Sequence, residues 1–295
     1  MRLISFQTSD GHDALGVVAG SSWIPAVSLL PTGPATMEGL LRGPSDALDA
    51  LRRAATPARV ERDGRPLQEA VLLAPVPRPG KIVAIGRNYK DHAAESGAEP
   101  PAAPLIFAKW PSSVIGPGEE IRWDPALSSQ VDYEAELGVV IGRTARWVSP
   151  ADALSYVLGY TCIDDVSARD LQFGDGQWVR GKSLDTFCPM GPVIVTTDEI
   201  PDPQVLGISC RVNGRTLQRA TTADMYFDVA TIVSHCSQAF TLEPGDVIAT
   251  GTPAGVGAFR DPPILLGDGD EVIVEIEGIG ELVNTCRFDR APVLA

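Results

Sequence analysis

Carboxylates set inside apolar, strand-like runs constrain this chain more than any other feature. Glu134 and Glu136 lie in Val131-Asp-Tyr-Glu-Ala-Glu-Leu-Gly-Val-Val-Ile141, and the adjacent Asp164 and Asp165 lie in Tyr160-Thr-Cys-Ile-Asp-Asp-Val-Ser-Ala-Arg-Asp170. Carboxylates are seldom buried in such runs unless something neutralises them. Glu134 and Glu136 are two apart, so a strand presents both on one face. Like charges that close repel, and a divalent cation is the simplest way to keep both ionised. Three carboxylates suit a hard ion with oxygen ligands, Mg²⁺ or Mn²⁺ ahead of Zn²⁺. The same alternation also describes the wet face of an amphipathic strand, with Val131, Tyr133, Ala135, Leu137 and Val139 opposite. Pattern alone leaves both readings open. Asp164 and Asp165 face oppositely in a strand, and pattern does not choose between them.

The formal net charge is −14 and no basic stripe is present, which argues against nucleic acid and anionic membrane surfaces as partners. No stretch approaches the length of a membrane span, and residues 1–6 are too short an apolar run for a secretory signal. The five cysteines are scattered with no C-x-x-C pair, which fits a reducing cytoplasm rather than a disulfide framework.

Residues 1–72 read as a small N-terminal α/β domain, with strands near residues 1–6 and 14–18 and a helix near residues 46–55. Leu73-Ala-Pro-Val-Pro-Arg-Pro-Gly80 reads as a stiff linker. Residues 81–295 read as a β-rich catalytic domain with short helices. A helix is expected over residues 89–96 with Gly97 ending it, and another from Ser149-Pro150 that Gly159 stops. Val229, Ile232, Val233, Cys236 and Phe240 fall on one helical face, and residues 271–282 read as a hairpin turning at 278–280. Numerous strands and few helices do not support a regular βαβ array.

Other constellations carry chemistry. In Gly86-Arg-Asn-Tyr-Lys-Asp-His-Ala-Ala-Glu95, His92 and Glu95 are three apart and so adjacent on a helix. A carboxylate beside an imidazole makes a general base, although the same pair also describes a surface ion pair. Gly176-Gln-Trp-Val-Arg-Gly-Lys-Ser183 matches the phosphate-loop pattern letter for letter, but neither a strand before it nor a helix after it is expected. Nucleotide binding is therefore rejected, and Lys182 is kept as a cation for a substrate carboxylate or carbonyl. Ile248-Ala-Thr-Gly-Thr-Pro-Ala-Gly-Val-Gly257 offers backbone N–H groups and a hydroxyl after an apolar strand.

Together these segments resemble the fumarylacetoacetate hydrolase family, through Gly86-Arg-Asn-Tyr with His92 and Glu95, Phe107-Ala-Lys109, Asp132-Tyr-Glu-Ala-Glu-Leu137, Asp165-Val-Ser-Ala-Arg-Asp-Leu-Gln172, Gly181-Lys-Ser, Val212-Asn-Gly214 and Gly251-Thr-Pro-Ala-Gly-Val-Gly257. The local wording is most similar to the bacterial branch acting on acylpyruvates and 2,4-dioxo acids. The resemblance implies an α+β, β-rich fold, a mixed β-sandwich roll, and a homodimer. It implies one Mg²⁺ or Mn²⁺ on Glu134, Glu136 and Asp165, with His92, Glu95 and Lys182 as catalytic groups on a lid and at the site. It implies substrate contacts from Arg87, Tyr89, Lys109, Arg169, Gln172 and Thr252. Residues 172–182 depart from the family in being short and glycine-rich, where some members carry a longer loop with an aromatic contact. The expected reaction is hydrolysis of the C3–C4 bond of a 2,4-dioxo acid to pyruvate and a carboxylic acid. Decarboxylation of oxaloacetate-like acids and keto–enol or diene-dioate isomerisation are the alternatives on the same site. A metal-stabilised binding protein is the non-enzymatic alternative.

Overall fold

The computed structural model describes residues 1–97 and 99–289, so Ala98 and residues 290–295, the end of the expected catalytic domain, lie outside the described residues. Two packed sheets form the body. In the larger, ten strands run side by side in the order Arg65–Pro66, Ser22–Pro25, Asp13–Ala19, Arg2–Gln7, Cys188–Thr196, Val157–Asp164, Ala135–Ile141, Val247–Ala249, Ile82–Gly86 and Leu105–Lys109. Neighbours on this path are antiparallel except Val247–Ala249 with Ile82–Gly86. A five-stranded sheet, from Arg215–Thr221 through Gly207–Val212, Glu271–Ile276 and Gly280–Phe288 to Glu120–Trp123, packs across its centre. This is the α+β, β-rich sandwich that the resemblance implies.

The centre of the large sheet is covered on both faces. Along Ala135–Ile141 every residue is buried. Val131, Tyr133, Ala135, Leu137, Val139 and Ile141 enter the core shared with the five-stranded sheet. Val140 enters a second core, built with the N-terminal strands and the helices Met37–Arg42 and Ala47–Ala54. Glu134 and Glu136 belong to that second side and are 4% and 1% exposed. The wet-face reading of this strand is thereby excluded.

The sheet runs on across the expected boundary between residues 72 and 81. Arg2–Gln7 pairs with Cys188–Thr196 as well as with Leu72–Leu73, and Ser5 Oγ donates to the Pro75 carbonyl at 2.8 Å. Residues 1–72 and the remainder therefore meet through backbone ladders. The expected helix opening at Pro150 forms, as Pro150–Ala153 followed by one tight turn, Leu154–Tyr156. Gly159 does not stop it. Gly159 lies inside the strand Val157–Asp164, where a Cβ would come within 2.2 Å of the Val195 carbonyl oxygen. The glycine permits close strand approach instead of ending a helix. Gly97 (φ +64°) closes the helix Lys90–Glu95 as expected.

Replacing Gly159 by Ala is expected to cost about 3 kcal/mol or more, because the obstacle is backbone that cannot rotate away. Chemical denaturation checks this. A loss below about 1 kcal/mol would show that the strands separate without penalty.

Candidate metal centre and active site

The backbone first sets which aspartate lies beside the two glutamates. Val131–Asp132 pairs with Ser167–Ala168, and Ala135 pairs with Asp164, so residues 133–134 and 165–166 face each other at the sheet's end. The Asp165 N–H donates to the Glu134 carbonyl at 2.9 Å, and the Glu134 N–H donates to Asp164 Oδ1 at 2.8 Å. Asp164 thus ties the two segments together, and burial pushes its carboxyl up to about 7. Asp165 points the other way and joins Glu134 and Glu136: one carboxylate oxygen from each lies within 4.8 Å of the others.

Three cations compensate part of this charge. Lys182 Nζ donates to Glu134 Oε2 at 2.7 Å and to Asp165 Oδ2 at 2.6 Å. Lys109 Nζ donates to Asp165 Oδ1 at 2.6 Å and also to the Lys182 carbonyl. Arg169 Nη2 stands 2.6 Å from Glu134 Oε1 and 2.8 Å from Asp132 Oδ2. Burial opposes ionisation of Glu134, but Lys182 and Arg169 overcome it and hold the carboxyl down at about 2. Among the described residues, Glu136 receives only the Gly251 N–H, at 2.8 Å. Burial, with Asp165 and Glu134 beside it, pushes Glu136 well above the usual carboxylate range. The residues fit a hard divalent cation: three carboxylate oxygens converge, and one of the three lacks a cation of its own.

The candidate base comes from another layer. The helix Lys90–Glu95 sets His92 Nδ1 2.9 Å from Glu95 Oε1. Glu95 in turn accepts the Gly255 N–H, at 3.1 Å on Oε1 and 3.0 Å on Oε2. Gly255 sits at φ +102°, and a Cβ there would meet the Leu217 carbonyl at 2.2 Å, so no other residue fits. Glu95 orients the ring through Nδ1, which leaves Nε2 for chemistry.

His92, Glu134, Glu136, Lys182, Arg169, Gln172, Thr252 and Arg87 line one cavity of about 160 Å³. That is below the range of about 300–1,000 Å³ usual for drug-sized ligands, so a small metabolite is the better match. Two residues expected at the substrate are not in its wall. Lys109 is buried behind Asp165, its ammonium consumed by that carboxylate. Tyr89 caps the helix from beneath, 1% exposed, with no partner for its hydroxyl among the described residues. Arg169 and Lys182, though in the wall, are held by the carboxylates, and Arg169 Nη1 also donates to Gln172 Oε1 at 3.0 Å. Residues 172–182 supply Phe173 and Trp178 to the cavity, with Phe107 and Phe259, so aromatic contact is present despite the short segment. The helix Arg169–Gly174 precedes the phosphate-loop look-alike where a strand would be required, consistent with its rejection.

Sequence reasoning gave no role to Asp132, Gln218 or Gly255. Asp132 accepts from the Gly257 and Ala258 N–H groups at 2.7 and 3.0 Å and pairs with Arg169, clamping the glycine-rich loop to the metal-ligand segment. A third acidic residue in the same apolar run was its available signal. Nothing in a strand pattern marks Gln218.

A carboxyl whose folded pKa is raised favours the folded state only while it stays protonated, so its contribution is lost as pH rises above about 4. In EDTA, Glu136→Gln is therefore expected to melt above the wild type by a margin that grows toward neutral pH. Added Mg²⁺ or Mn²⁺ should raise the melting temperature of the wild type and not of the variant. An equal metal response in both would remove Glu136 from the site.

Comparisons with known proteins identify the chain's family. The family model described as fumarylacetoacetate (FAA) hydrolase C-terminal matches residues 81–287. A mitochondrial oxaloacetate tautomerase of Bos taurus is 44% identical over 290 residues, covering 96% of this chain and 91% of the relative. A fumarylacetoacetate hydrolase structure from the psychrophilic Exiguobacterium antarcticum superposes with a TM-score of 0.84 at 40% identity, covering 98% of this chain and 100% of that one. A maleylpyruvate hydrolase structure from Sphingobium sp. SYK-6 gives 0.80 at 34% identity, covering 98% and 100%. Among the described residues no helix is long and apolar enough to cross a membrane. Matched by the family model over residues 81–287 and by relatives almost end to end, the chain belongs to the fumarylacetoacetate hydrolase family of enzymes.

Proposed function

We propose that this chain is a divalent-metal-dependent keto–enol tautomerase of oxaloacetate-type 2-oxo acids. The observation that carries the reading is His92, paired with Glu95, lining one cavity with Glu134 and Glu136, which sets a proton-transfer group beside a candidate cation site. The 44% identity to an oxaloacetate tautomerase supports placing tautomerisation ahead of the hydrolysis expected first. Mg²⁺ or Mn²⁺ held by Glu134, Glu136 and Asp165 would polarise the 2-oxo group and make the neighbouring C3 proton more acidic.

His92 Nε2 takes the C3 proton, breaking that C–H bond, and returns it to the 2-oxygen, so no water and no C–C bond cleavage are required. Glu95, fixed by Gly255, holds the ring and stabilises its protonated form. Lys182 and Arg169 keep Glu134 ionised without leaving the carboxylates. Arg87 lies at the cavity with its guanidinium 5.8 Å from the Trp178 ring centroid and has no carboxylate partner among the described residues. It is the cation available for a second, distal carboxylate.

Hydrolysis of a 2,4-dioxo acid is the second reading, supported by the likeness to a maleylpyruvate hydrolase. The same base would then deprotonate a water aimed at C4.

His92→Ala is expected to lower oxaloacetate tautomerisation by about 10²–10⁴-fold, followed through the enol absorbance, with Glu95→Gln falling in between. A His92→Ala protein at full rate would remove the base. An acylpyruvate cleaved faster than oxaloacetate is tautomerised would favour the second reading.

Arg87→Leu should raise KM about tenfold or more for oxaloacetate and leave it unchanged for a 2-oxo acid with one carboxylate. Equal effects on both would deny Arg87 its distal role.

A further inference from the structure

Gln218 lies in the strand Arg215–Thr221 of the smaller sheet and is 1% exposed. Its amide meets three groups. Oε1 accepts the Ala135 N–H at 2.9 Å, and Nε2 donates to the Pro253 carbonyl at 2.9 Å and to Thr252 Oγ1 at 2.8 Å. The partners dictate which way the amide points. A backbone N–H can only donate and a carbonyl can only accept, so the flipped amide would oppose two like groups.

With the amide fixed, the Thr252 hydroxyl is fixed as well. It receives a proton from Nε2, so its own proton must point elsewhere. No acceptor for that proton is found among the described residues. Thr252 lines the cavity with Glu134, Glu136 and His92, and its neighbour Gly251 gives its N–H to Glu136. A hydroxyl already acting as acceptor on its protein side is left as a donor on its cavity side.

We infer that Gln218 is a positioning residue that polarises Thr252 into a hydrogen-bond donor for an anionic oxygen of the substrate. This rests on the cavity being the 2-oxo acid site, as in the function proposed above, but not on the reaction that follows. Gln218 touches no substrate. It acts through one hydroxyl, and through Ala135 it ties that hydroxyl to the backbone between the two glutamates. The smaller sheet thus reaches the site through this side chain.

A double-mutant cycle tests this, read as oxalate affinity by calorimetry on the Mg²⁺-loaded protein and as KM and kcat for oxaloacetate. Thr252→Val should weaken oxalate about tenfold, the factor for one hydrogen bond to a charged group. Gln218→Met should do the same, and the double variant should be no weaker than either alone. The loss should fall on KM, with kcat within about twofold. Thr252→Ser, which keeps the hydroxyl, should bind as the wild type does. Should Gln218→Met fail to fold, Gln218→Glu keeps the acceptor for Ala135 and lacks the donors, and the same cycle applies. A double variant weakened about a hundredfold would mean that Gln218 acts independently of Thr252 and would overturn the inference. So would a Thr252→Val protein with unchanged affinity. A wild type that binds oxalate and obeys the cycle, yet does not tautomerise oxaloacetate, would sink the proposed function and leave Gln218 in place.

Discussion

Glu134 sits between Lys182 and Arg169 in a space almost closed to water, and the rest of the site depends on that arrangement. Each charge would be costly to bury alone, by several kcal/mol, and each is tolerated because its partners are fixed by separate elements. Lys182 comes from the short helix Val179–Lys182, Arg169 from the start of the helix Arg169–Gly174, and Lys109 from the end of an outer strand. The compensation is uneven. Asp165 has two ammonium partners and Glu134 has an ammonium and a guanidinium, but Glu136 has, among the described residues, a backbone N–H only. Glu136, in the cavity wall, is thus the one of the three left without a cation partner among the described residues. A divalent ion there would supply the positive charge that Glu136 lacks.

The two-sheet architecture makes this possible. Strands at the centre of the large sheet are covered on both faces, so a carboxylate on the second face is buried as deeply as a leucine on the first. The glycine-rich loop after Val247–Ala249 supplies N–H groups to Asp132, Glu136 and Glu95. One loop therefore holds a candidate metal-ligand carboxylate, the glutamate beside the candidate base His92, and the aspartate that clamps Arg169. Motion of this loop would disturb all three together.

Much of the fold was legible because it is local. The strands near residues 1–6 and 14–18, the hairpin at residues 271–282 and the helical face from Val229 to Cys236 follow from alternation, turn glycines and helical spacing. Gly159 was misread because a glycine that ends a helix and one that lets strands approach look alike until the partner strand is known. The ligand set was legible as acidic residues in apolar runs, but the choice of Asp165 came through family resemblance. In the structure Asp164 accepts the Glu134 N–H, while Asp165 lies beside Glu134 and Glu136.

The sequence by itself determined the chemistry available: three carboxylates in strand-like runs, an imidazole one helical turn from a carboxylate, and a loop rich in glycine and threonine. Tertiary structure decided how those groups are used. It turned Lys109 and Tyr89 away from the cavity and spent Lys182 and Arg169 on the carboxylates. It brought Phe173 and Trp178 in, and it enlisted Gln218 from the other sheet. Hydrogen bonds between distant elements set these outcomes, and spacing along the chain carries no record of which strands will pair or which face will be covered.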